Sequence, residues 1–258
     1  MDSDALSSLS NAHEASPSQD SLSATLHVRY QAVCSSIAEI AYACGRPADT
    51  VRIVAVSKTQ PPHVLQAALR AGIYALGENY AQEMKEKARA LPQSQVEWHF
   101  IGHLQTNKVK MIAPFVHCIH SVDSERLAKE ISKAAGNLGR TIDILLQVNT
   151  SGEQSKSGCA PEQVSTLADA VLTLPHLRVR GLMTIAAQND DAEAVRPMFR
   201  LLRSLRDELY QRYPDAAVQG AFHELSMGMS GDYPVAIQEG ATILRIGTAI
   251  FGERHYAQ

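Results

Sequence analysis

Eight short apolar runs constrain this chain more than any other feature. They fall at residues 52–58, 74–77, 96–101, 116–122, 142–148, 179–184, 222–226 and 242–246, and segments with helical periodicity lie between them. Repeated strand–helix units imply parallel strands, because a parallel neighbour is reached through a crossover. The run at 142–148 is apolar on both faces, as a strand covered by helices should be. Eight such units predict a closed (β/α)8 TIM-type barrel, and the 258-residue length suits one. An open doubly wound sheet is the alternative, but no G-x-G-x-x-G follows the first run.

Helices are expected at 61–71, 81–90, 106–112, 124–138, 161–172, 190–213 and 233–239. An extra N-terminal helix at 22–44 carries the stripe Leu26, Val33, Ile37 and Ile40, and Gly45 with Pro47 ends it. Residues 1–21 are rich in Ser, Ala, Asp and Asn and read as a disordered tail, which leaves 22–258 as the barrel domain.

A net charge of −3 gives no basic field for nucleic acid, and 5% aromatic residues leave few stacking platforms for bases. No apolar run is long enough to span a membrane, and the first residues lack a secretory core or the arginines of a transit peptide. Cys34, Cys44, Cys118 and Cys159 have no metal-ligand spacing. They read as free thiols of a cytoplasmic protein, with no metal site expected.

Lys58 ends the first run. A lysine there has an apolar stem and an amine at a mouth, where desolvation favours the nucleophilic neutral form. Such an amine forms Schiff bases with carbonyl compounds. In barrels of this kind a phosphate site is often built by the loops after strands seven and eight. Here those loops are Ser226-Met227-Gly228-Met229-Ser230-Gly231-Asp232 and Arg245-Ile246-Gly247-Thr248. Their glycines allow close backbone approach to an anion, and Ser226, Ser230, Thr248 and Arg245 add donors.

These segments, with Val54-Ala55-Val56-Ser57-Lys58-Thr59, Gly77-Glu78-Asn79-Tyr80, Gly181-Leu182-Met183 and the stretch from Trp98 to Lys108, resemble the pyridoxal phosphate (PLP) homeostasis proteins. These are relatives of the alanine racemase barrel, of PLP fold type III, without its C-terminal β-domain. The resemblance runs from about residue 25 to 254. It implies that Lys58 holds pyridoxal 5'-phosphate as an aldimine, that Ser226 and Met227 belong to the first phosphate loop, and Gly247 and Thr248 to the second. It implies that Arg245 faces the pyridine nitrogen, and that Asn79, His99 and Met183 line the ring.

The implied function is a non-catalytic carrier, with no catalytic residues. It would serve intracellular PLP homeostasis and deliver the cofactor to PLP-dependent apo-enzymes. The alternative is a racemase-like enzyme, which needs acid–base groups on both faces of the substrate carbon. The racemases take one from a further domain, for which the chain leaves no room after strand eight, and Tyr256 has nothing to position it. Because that domain also builds the racemase dimer, a monomer is expected.

A barrel enzyme acting on a phosphorylated metabolite would explain the loops, but Lys58 only as a Schiff-base aldolase. Ordinary roles compete at single positions: a core His99, a helix-capping Asn79, methionines as gap filler, and Glu78, Glu83 and Glu86 as surface charges. The loop at 151–158 is assigned no role.

Overall fold

The computed structural model describes residues 19–189 and 191–253. Its strands are β1 (Arg52–Val56), β2 (Ala75–Glu78), β3 (Glu97–Phe100), β4 (Cys118–Val122), β5 (Ile142–Gln147), β6 (Leu177–Met183), β7 (Glu224–Ser226) and β8 (Ile243–Ile246). Each pairs in parallel with the next, and β8 pairs with β1, Arg52 standing opposite Ile243 and Ala55 opposite Ile246. The expected eight-stranded barrel therefore closes.

The helices are α1 (Gln19–Ala43), α2 (Pro62–Arg70), α3 (Ala81–Ala90), α4 (Val109–Ile112), α5 (Glu125–Asn137), α6 (Val164–Leu172), α7 (Arg196–Arg212), α8 (Pro214–Val218), α9 (Tyr233–Gln238) and α10 (Thr248–Phe251). Sequence accounts for them locally. Pro62 sits in the first turn of α2, where its missing N–H is not needed. Ser124 caps α5 by accepting from the Leu127 N–H. The buried stripe Leu127, Ala128, Ile131, Ala134 and Ala135 then faces the sheet.

All six residues of β5 are buried, since helices cover one face and the barrel interior the other. The main core fills the space between sheet and helices, where a fully buried Leu65 or Ile131 contributes about 1.5–3 kcal/mol. A smaller apolar cluster inside the barrel joins Val54, Cys118, Leu145, Met183 and Ile243. Helix α1 buries Leu26, Val33, Ile37 and Ala41 and packs on α2, α9 and α10 beside the β1–β8 seam. Just beyond it, Arg46 donates to the carbonyls of Ile237 and Ala241.

Several boundaries differ from expectation. Strand β1 stops at Val56, and Lys58 lies in the following turn, where Thr59 has φ 69°. The segment at 106–112 divides into a 3-10 turn and a short α4. Helix α7 starts at Arg196, after a 3-10 turn at Ala192–Val195; Asp190, its expected start, is outside the described residues. Of the expected tail only 19–21 are described, and these already belong to α1. No helix among the described residues is long and apolar enough to cross a membrane.

Candidate functional site

A cavity of about 340 Å³ opens at the carboxyl ends of the strands. Val56 is the last residue of β1, and Lys58, Asn79, Ile101, Ile185, Gly247 and Thr248 each follow a strand end. The β7–α9 loop adds Met229, Ser230 and Gly231, and Arg245 comes from β8 itself. Two basic side chains, Lys58 and Arg245, and no carboxylate line this cavity among the described residues, and hydroxyls and glycine backbone surround them. That donor set suits an anionic ligand, and the volume suits a small cofactor.

The turn carrying Lys58 is clamped from behind. Ser57 Oγ donates to Glu78 Oε1 at 2.5 Å, and the Thr59 N–H donates to Glu83 Oε1 at 2.6 Å. Lys87 reaches in from α3 and places Nζ 2.7 Å from Ser57 O, 2.8 Å from Glu78 Oε1 and 2.6 Å from Glu83 Oε1. Three acceptors thus serve its three N–H donors. Burial pushes the Glu78 carboxyl up from its ordinary range, and Lys87 and Ser57 offset that push. Glu78 is fully buried, so it is not the surface charge expected from sequence; Oε2 has no hydrogen-bond partner among the described residues.

The loop after β7 owes its shape to two residues. Asp232 Oδ1 accepts from the Met229 N–H at 2.5 Å. Gly228 has φ 94°, and a Cβ there would lie 2.6 Å from Ala236 Cβ, so only glycine fits.

Arg245 is 4% exposed. Its Nη1 donates to Ser226 Oγ at 2.7 Å and its Nη2 to Thr184 O at 2.8 Å. Burial pulls its pKa down to about 10, against the opposing pull of Asp232, so it is a cation at neutral pH.

The structure therefore brings Lys58, Asn79, Arg245, Gly247 and Thr248 together around the cavity. It does not bring His99, Met183, Ser226 or Met227 to that wall. Met183 packs in the apolar cluster inside the barrel. Met227 is fully buried, with its N–H on Ile243 O. The Ser226 hydroxyl points into the barrel, 2.9 Å from His120 Nδ1. His99 lies against His120, with Nδ1 2.9 Å from His120 Nε2, and lines a second cavity of about 280 Å³. Arg52, Asp143 and Glu224 mark that cavity as lying at the amino ends of the strands.

Sequence reading singled out neither Val56, Ile101 nor Ile185 as lining residues. Their position at or just past a strand end was the available signal.

His99, Cys118 and His120 bring three metal-ligating atoms within 4.8 Å of one another. Two of these groups already hydrogen-bond each other, and burial pushes the Cys118 thiol far up.

The family described as alanine racemase, N-terminal domain, matches residues 28–255. The pyridoxal phosphate homeostasis protein of Aquifex aeolicus is 45% identical over 228 residues, which cover 88% of this chain and 98% of the relative. The protein of the same description in Vibrio cholerae is 44% identical over 219 residues, covering 83% of this chain and 90% of the relative. Among solved structures, PipY of Synechococcus elongatus with PLP bound superposes with TM-score 0.75 at 34% identity, covering 88% of this chain and all of that one.

Proposed function

The chain belongs to the pyridoxal phosphate homeostasis proteins of the alanine racemase N-terminal domain family, and from that premise we propose that it binds pyridoxal 5'-phosphate in the cavity at the carboxyl ends of the strands. One observation carries the reading. A lysine and a buried arginine meet in a cavity of cofactor size whose lining has no carboxylate among the described residues.

Each residue then has a task. Lys58 would hold the cofactor's aldehyde through Nζ, with loss of water, on a turn fastened by Lys87, Glu78 and Glu83. Gly247, Thr248, Ser230 and Gly231 would receive the phosphate. Asn79 and Ile101 bound the space for the ring. When bound, the cofactor supplies a reactive aldehyde and a pyridine ring that can withdraw electrons.

Arg245 limits that withdrawal. A guanidinium only donates, and it disfavours a second positive charge on a ring nitrogen facing it. The site is therefore suited to holding the cofactor and poorly suited to stabilising a substrate carbanion. We read the protein as a cytoplasmic monomer that buffers PLP and delivers it to apo-enzymes without turnover of its own. The homeostasis descriptions of its relatives support the PLP-buffering part of this reading.

The test is an absorbance spectrum with added PLP, before and after borohydride reduction, for the wild type and Lys58→Ala. A visible band, fixed by reduction to the Lys58 peptide and missing in the variant, is the expected result. No band in the wild type would end the cofactor reading. Racemisation of a common amino acid by the loaded protein would end the carrier reading alone.

A further inference from the structure

A chain of buried polar side chains crosses the barrel interior. It runs from Arg245 Nη1 to Ser226 Oγ at 2.7 Å, from Ser226 Oγ to His120 Nδ1 at 2.9 Å, and from His120 Nε2 to His99 Nδ1 at 2.9 Å. All four residues are at most 4% exposed. One end reaches the carboxyl-end cavity through Arg245, and the other reaches the amino-end cavity through His99. We infer that Arg245 sets the direction of every hydrogen bond in this chain, and that His120 acts back through Ser226 as a positioning residue for the guanidinium at the cofactor cavity. The positioning part rests on reading that cavity as the PLP site.

The direction follows from donor counting. A guanidinium has no acceptor, so Ser226 Oγ accepts from Arg245. The single hydroxyl proton is then directed to the other neighbour in the chain, His120 Nδ1. That nitrogen must be bare, so the neutral ring carries its proton on Nε2 and donates it to His99 Nδ1. His99 in turn carries its proton on Nε2. Reversing the chain would make Ser226 Oγ accept from both sides and leave its own proton without an acceptor in the chain, at a fully buried atom. Both rings are held neutral, by burial first and then by the neighbouring imidazoles and arginines.

The positioning role follows from the same count. Arg245 is anchored by Ser226 Oγ and Thr184 O. His120 holds the hydroxyl proton on the side away from Arg245, which keeps a lone pair of the serine oxygen aimed at the guanidinium. Without that acceptor the hydroxyl rotates, and its proton competes for the space the guanidinium uses.

Two measurements test this. The first is the imidazole nitrogen–proton correlation spectrum of histidine-labelled, cofactor-free protein. It should show both His99 and His120 as neutral rings protonated on Nε2; a His120 ring protonated on Nδ1, or charged at neutral pH, overturns the direction. The second compares PLP-loaded wild type, His120→Asn and His120→Leu, two variants of similar shape of which only Asn keeps an acceptor where Nδ1 was. His120→Leu should shift the visible band and weaken PLP retention about tenfold, and His120→Asn should restore both toward wild type. A folded His120→Leu with the wild-type band and affinity overturns the positioning role. Should His120→Leu fail to fold, Ser226→Ala removes the oxygen through which His120 acts on Arg245, and a wild-type band and affinity in that variant overturn the positioning role. If the wild type binds no PLP, the positioning role falls with the cofactor reading, and the spectrum of the unloaded protein still decides the direction.

Discussion

Lys87 Nζ donates to the carbonyl oxygen of Ser57 at 2.7 Å, one residue before Lys58. The same ammonium pairs with Glu78, and the two side chains are 5% and 0% exposed. Removing one member of a buried pair costs about 3–5 kcal/mol, because the other charge is left unpaired. Lys87→Met should therefore lower the unfolding free energy by that amount in urea titrations. The double variant Lys87→Met, Glu78→Gln should recover much of the loss. Because the clamp holds the Lys58 turn, Lys87→Met should also slow borohydride trapping of PLP. An unchanged urea midpoint would show that the pair carries no net stability.

The buried imidazoles set an acid limit. His99 is pushed down to about 3, and His120 lies well below its ordinary range. In the unfolded chain both titrate near about 6.5. Between these values the unfolded state binds more protons, so stability rises with pH through this window. The contribution is complete above about pH 6.5 and is lost as pH falls toward 3, at up to about 1.4 kcal/mol per pH unit for each ring. Urea midpoints measured between about pH 7 and about pH 4 should fall steeply, and His120→Asn should flatten the slope. Equal slopes for variant and wild type would remove His120 from the account.

The strands were legible because barrel strands are covered on both faces and so read as plain apolar runs. The same property hid the interior. With both faces buried, alternation does not reveal which side chains point inward, so the sequence marks neither His120 nor the inward turn of the Ser226 hydroxyl. Lys58, Arg245, Gly247 and Thr248 were legible because strand ends fix their place. Nothing in the sequence separates Lys87, four residues after Glu83, from a helix-surface lysine; only the packing of α3 on the β1 turn brings it inward. Glu78 reads as a surface helix charge alongside Glu83 and Glu86, but it ends β2 and its buried partner comes nine residues later.

Thiol reactivity should follow burial. Cys44 is exposed and Cys34 half-buried, while Cys118 and Cys159 are buried. Burial pushes the Cys159 thiol up to about 11 and that of Cys118 further, so little reactive thiolate forms at either near neutrality. Native protein treated with a thiol reagent near neutral pH should be labelled first at Cys44. Cys118 and Cys159 should be labelled only after denaturation, as read by peptide mass spectrometry. Rapid labelling of native Cys118 would show that the amino-end cavity admits reagent to the barrel interior.

Gly102 allows the chain to pass close to Asn79, which lines the cavity that also holds Lys58. A Cβ at residue 102 would lie 2.7 Å from Asn79 Cα and 2.8 Å from its carbonyl carbon, and closer still to the carbonyl oxygen. These are backbone atoms, so no side-chain rotation relieves the contact, and the strand-end turn carrying Asn79 must move. Overpacking of this kind costs about 1–3 kcal/mol. In a chain of this size that lowers Tm by about 2–4 °C for each kcal/mol. If the cavity holds PLP, Gly102→Ala should also loosen PLP by more than its stability loss alone explains, because the displaced residue bounds the site. Asn79→Ala, which trims the side chain without moving the backbone, separates the two effects. Weakened PLP retention in Gly102→Ala with near-wild-type retention in Asn79→Ala would assign the loss to the shifted turn. Equal loss in both would assign it to the Asn79 side chain, and wild-type retention in Gly102→Ala would show that the turn yields without disturbing the cavity.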